Sequence, residues 1–118
     1  MSYDPFNLPK MDFKMPPLPE IKSPAEYAKD SLVAGLRGFE AGLGDDEEMV
    51  IDFDGLPAGH RVHHIGTASS FVVFHSVDDA GRKAKTYLAA FGARVTILAQ
   101  AKPQEIPEAR RVGFEVPN

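Results

Sequence analysis

The sequence predicts an α+β domain in which one N-terminal amphipathic helix packs on an antiparallel sheet of five or six strands, preceded by an extended proline-rich arm. Three observations lead there. Six of the ten prolines fall within the first 24 residues, a helical period follows from residue 23, and from Met49 onward the apolar period becomes two. With 118 residues, 43% of them hydrophobic, the chain can bury one core but not two, which assigns residues 1–22 to the arm and 23–118 to a single domain.

In the arm, Pro5, Pro9, Pro16, Pro17, Pro19 and Pro24 forbid helix and favour extended or polyproline backbone. The same segment carries Phe6, Leu8, Met11, Phe13, Met15, Leu18 and Ile21, more apolar anchors than a solvated linker holds. These side chains mark a binding segment that docks on its own domain, a sister subunit or a partner. The first five residues lack the basic and apolar regions of a signal peptide, and no later run is long enough to span a membrane. No membrane partner is therefore expected, and the expected location is cytoplasmic or within a larger particle.

The helix begins at Ser23, Pro24, Ala25 and Glu26. Serine caps free amides, proline suits the first helical position, and glutamate sits where a capping box reaches back. Leu32, Leu36, Phe39 and Leu43 then recur at spacings of four, three and four, one apolar stripe at helical period. Gly42 and Gly44 offer left-handed stop positions, and Asp45, Asp46, Glu47 and Glu48 suit a solvated loop better than the negative end of a helix dipole. The helix is thus expected to end near Leu43.

Short β-rich runs follow over 49–53, 60–66, 70–77 and 83–89, separated by turn residues. Asp78, Asp79, Ala80 and Gly81 predict a hairpin turn, and Gly55, Pro57 and Gly59 break the chain between the first two runs. Residues 94–101 alternate Val95, Ile97 and Ala99 as a strand, although the alanines from Leu88 onward also suit a helical turn. A last short strand is expected from Arg111 to Val116.

The order of Ser23, Pro24, Ala25, Glu26 and Tyr27, then Phe39, Glu40 and Leu43, then Ile65 with Gly66, the Asp79 and Gly81 hairpin, and Arg110, Arg111, Val112, Gly113 and Phe114 resembles a small bacterial domain family of unknown function. The likeness spans roughly residues 23 to 116 and departs around Leu88 to Phe91. It implies a shared fold and family positions at Gly66, Gly113, Arg110 and Arg111, but no activity.

Composition narrows the chemistry. Without cysteine there is no disulfide, thiolate metal site or thiol nucleophile, and 17 acidic against 13 basic side chains disfavour nucleic acid as a partner. His60, His63, His64 and His75 invite a metal. In a regular strand, however, His63 and His64 point to opposite faces and His60 lies about 13 Å from His64. His63 or His64 with His75 makes at most half a site, so ordinary sheet histidines, or a pH-sensitive surface, are expected. Asp52 and Asp54 share one side of a strand end, yet Pro57 and His63 occupy the sixth and twelfth positions counted from Asp52, which excludes a calcium loop. Ser69 and Ser70 sit in a plain turn, no triad is apparent, and no phosphate-cradling glycine loop occurs. No catalytic residue, metal or cofactor is expected, and the residues point away from an enzyme.

Arg61, Arg82, Arg110 and Arg111 are the candidates for an anion-binding face, because guanidinium forks match carboxylate and phosphate. Lys83, Lys85 and Arg94 can join them. Two functions follow. The first is a non-enzymatic assembly protein that docks through Phe6, Leu8, Met11, Phe13, Met15 and Leu18 on a sister subunit or larger complex, by analogy with the arms of bacteriophage or secretion-type assemblies. The second is a module binding a small anion or nucleotide-like ligand through the arginine face.

Overall fold

The computed structural model describes residues 21–115, so the arm anchors from Phe6 to Leu18 and the end of the chain lie outside the described residues. Helix α1 (Pro24–Ala41) is followed by strands β1 (Glu47–Phe53), β2 (Arg61–Ala68), β3 (Phe71–Val77), β4 (Lys83–Ala89), β5 (Val95–Ala101) and β6 (Gly113–Glu115). This is the α+β class that the periodicities predict, and residues 95–101 are strand. At the helix start the Glu26 amide donates to Ser23 Oγ at 3.2 Å, with Pro24 in the first turn. The helix stops at Ala41, slightly before Leu43, and neither Gly42 (φ −88°) nor Gly44 uses a left-handed conformation. The stop comes instead from a tight turn, in which the Gly42 and Leu43 amides donate to Phe39 O and Glu40 O.

The strands divide between two sheets, β1-β5 and β4-β3-β2-β6. Short hairpins force the β2–β3 and β3–β4 pairs to be antiparallel. The loop through Gly55, Pro57 and Gly59 releases β1 from that sequence of hairpins, and β1 pairs instead with β5, from Glu47↔Ala101 to Phe53↔Val95. β6 returns over the long segment after β5 and lies parallel to β2, a pairing that no hairpin constrains.

One core joins the layers. Val33 and Leu36 of α1 meet Met49, Ile51 and Phe53 of β1, Val62 and Ile65 of β2, Val72 and Phe74 of β3, and Val112. Leu32, Phe39 and Leu43 pack against its margin, as the stripe predicts. The two sheets touch through the stacked rings of Phe53 and Phe74, whose centroids lie 4.5 Å apart.

Two local expectations are corrected. Glu48 is not solvated: β1 begins at Glu47, and Glu48 is only 5% exposed because Arg110 neutralises it. His63 and His64 do not take opposite faces of a regular strand. The β2–β3 register shifts between Val62 and His64, so Val62 faces Ser76 while His64 faces His75, and His63 is the extra residue of a bulge. That shift lets Val62 and Ile65 both enter the core at a spacing of three.

Candidate functional site

The segment Arg110, Arg111 and Val112 organises the most connected polar region. Arg110 donates its backbone amide and Nε to Glu48 Oε2 at 2.6 and 2.9 Å, and Nη2 to Oε1 at 2.9 Å. Those hydrogen bonds hold the Glu48 carboxyl below the ordinary carboxylate range against the opposing effect of its burial, and raise Arg110 in turn. Arg111 donates to the carbonyls of Glu47 and Gly44, and the Val112 amide donates to the Glu40 carboxylate at 2.8 Å. Three successive residues therefore clamp the returning chain to the end of α1 and the start of β1, which delivers Gly113 to β2. There glycine is required for close approach, since a Cβ on Gly113 would lie 2.6 Å from His64 Nδ1.

Beside the clamp opens a pocket of about 470 Å³ lined by Arg37, Glu40, Ala41, Leu43, Arg111 and Phe114. The Arg37 guanidinium sits 5.1 Å from the centre of the Phe114 ring, a cation–π contact. Two guanidinium groups and one aromatic ring thus share an open concavity whose only acid, Glu40, already accepts from a backbone amide.

The four predicted arginines do not form one face. Arg82 is bound to Asp78, with Nε 2.6 Å from Oδ2, in the β3–β4 turn. Burial, and then the nearby Arg110 charge, lower the pKa of Arg61, which places it as a second cation beside the Glu48–Arg110 pair. Arg110 is committed to Glu48, and Arg111 alone of the four lines the pocket. Its companion Arg37 was not singled out in the sequence, although Arg37 and Glu40 are three apart on the flank of the apolar stripe, a spacing that puts both on one helix edge.

The histidines separate into two groups. His60 Nδ1 lies 3.1 Å from Ser76 Oγ, and its Nε2 lies 3.9 Å from Asp78 Oδ2. Serine, histidine and aspartate here have the composition of a nucleophilic triad, but Ser76 is 1% exposed on the core side of β3, so no substrate carbon can approach Oγ while the sheet is intact. On the opposite face His64 and His75 meet at 5.3 Å between ring centres, with His63 at 6.5 Å from His64. The enclosed His64 Nε2 lies 3.3 Å from Glu115 without the alignment of a hydrogen bond. Burial first, then the charges of Arg61 and His64 for His63 and of His64 and Lys85 for His75, lower both histidines below the ordinary imidazole value. The unfolded chain therefore takes up those protons first as pH falls, which weakens the fold through the ordinary imidazole range. Among the described residues no group of three or more histidine, aspartate or glutamate side chains is arranged to hold a metal ion. Asp52 faces Thr96 as an exposed strand residue and Asp54 lies in the following turn.

Apolar surface concentrates elsewhere. Ile21, where the arm joins the domain, is 94% exposed, and Tyr27 in the first turns of α1 is half exposed. Phe91 and Leu98 stand out around β5, and Phe71 packs edge-on against Tyr87 on the outer face of the larger sheet. Among the described residues no helix is long and apolar enough to cross a membrane. Comparison with models of protein families, with curated proteins and with solved structures finds no match, so the resemblance in motif order adds no activity to this geometry.

Proposed function

We propose that this protein is an interaction and assembly protein whose N-terminal arm docks on a sister copy within a dimer or larger particle. The observation that carries the reading is Ile21: next to an arm whose sequence holds six further apolar anchors, this large side chain is almost wholly in solvent and finds no cover on its own domain. The polar groups of the described domain support the same reading, because Glu48, Arg110, Asp78, Arg82, His60 and Ser76 serve one another in holding turns and strands. Changing Phe6, Leu8, Met11, Phe13, Met15 and Leu18 together to serine in the full chain removes association, read by light scattering, and leaves a folded domain whose thermal transition is still cooperative but no longer depends on protein concentration. An unchanged mass contradicts the reading.

A second reading rests on the pair Arg37 and Arg111 in one pocket: a small phosphate- or carboxylate-bearing ligand held between two guanidinium groups with its apolar part on Phe114. Millimolar pyrophosphate or ADP then raises the melting temperature by mass action, and Arg37→Ala abolishes the rise. Equal shifts in parent and variant sink this reading.

A further inference from the structure

β5 pairs only with β1 among the described residues, so its other edge presents a row of strand amides and carbonyls. Natural edges are blunted by charge, proline or brevity. The β4 edge obeys that rule, since exposed Lys83 and Lys85 lie along it, and β6 is three residues long. β5 does not: its seven residues, Val95, Thr96, Ile97, Leu98, Ala99, Gln100 and Ala101, contain no ionisable group and no proline. From Leu98 to Ala101 every residue is exposed, and Phe91 stands free in the turn before the strand. Such an edge is a template for another strand.

The arm contains one segment with the pattern to fill it. Residues 10–15 alternate strictly, with Lys10, Asp12 and Lys14 on one side and Met11, Phe13 and Met15 on the other, bounded by Pro9 and Pro16. No residue from 10 to 15 is proline, so every amide in it can donate. One face can continue the row of Ile97 and Ala99, where the small exposed Ala99 leaves room for a methionine or phenylalanine. The other face supplies the charges that β5 lacks.

We propose that residues 10–15 of one copy add as a strand to the open edge of β5 in a second copy. This rests on the assembly reading above and names its receiving surface. A second copy is favoured over the same chain because Lys22 is tied to Asp30 of α1 and three of the five residues between the segment and Ile21 are Pro16, Pro17 and Pro19, a composition that disfavours a tight return of the segment onto its own body. Main-chain hydrogen bonds supply affinity and the alternating side chains set register, as in other strand-addition interfaces.

The absence of cysteine makes the test direct. Ala99→Cys is combined in the full chain with Met11→Cys, Phe13→Cys or Met15→Cys, oxidised mildly and run without reductant. A disulfide needs Cα atoms within roughly 7 Å, a distance that only paired strands keep populated. At least one combination is expected to give a reducible species of twice the chain mass, in at least ten-fold excess over the same arm cysteine paired with Lys85→Cys on the β4 edge. A yield equal to the Lys85→Cys control, or a cross-link that stays at monomer mass, overturns the proposal. Light scattering of the unmodified chain separates the two levels. Association without a β5 cross-link overturns the receiving edge alone, whereas a monomeric parent overturns the assembly reading with it.

Discussion

Replacing Phe74 by alanine is expected to lower stability by about 3–5 kcal/mol, the range for deleting a fully buried aromatic ring. Phe74 has no exposed surface and stacks on Phe53 of the other sheet, so the cavity opens where the two sheets meet and neither can close it without losing its own pairing. For a domain of this size such a loss lowers the melting temperature by roughly 15–30 °C. Urea denaturation measures it as a fall in midpoint with unchanged slope. A loss below about 1 kcal/mol would mean that the sheets do not share a core at this ring.

Arg110→Ala is the second large change. Removing one partner of a buried ion pair costs about 3–5 kcal/mol, and because Arg110 is 41% exposed its own solvation brings the expected loss to about 2–3 kcal/mol. Glu48 is left buried with only the backbone amide of residue 110 to bond it. The pH dependence follows from the sign of the Glu48 shift. Its folded pKa is lowered, so the stabilisation is complete above the ordinary carboxylate range and disappears as pH falls through the folded value. Parent and variant therefore differ most near pH 7 and converge only as pH falls below the ordinary carboxylate range and through the folded value. Unfolding free energies across that range check the prediction, and a difference independent of pH contradicts it. Replacing both Glu48 and Arg110 by leucine recovers most of the loss, since no charge is then stranded.

Local signals in the chain were readable because their causes are local. The Ser23 cap, Pro24 and the stripe at Leu32, Leu36, Phe39 and Leu43 mark a helix that folds as its own residues demand. Alternation marks the strands, and Asp78 to Gly81 mark a turn in which Gly81 takes φ +81°. Pairing was not readable. That β1 joins β5, and that β6 runs parallel to β2, depends on contacts far along the chain, and two-residue alternation is blind to partner and direction. Glu48 shows the same limit at one side chain, since an acidic run of four looks solvated until Arg110, 62 positions later, is brought onto it. The bulge at His63 escaped for another reason: one extra residue reverses a strand's facing without any change in composition.

The candidate site divides in the same way. Arg111 reaches the pocket and Arg110 clamps a carboxylate, although the two are adjacent and of one residue type. Arg37 completes the pocket from the polar flank of α1, where no periodic pattern distinguishes it from the other polar residues of the helix.

The most direct test of the central claim is the solution mass of the unmodified full chain across a concentration series, by sedimentation equilibrium near pH 7. The account predicts a species of at least twice the 12.9 kDa chain mass that dissociates on dilution. A single 12.9 kDa species at every concentration would contradict it.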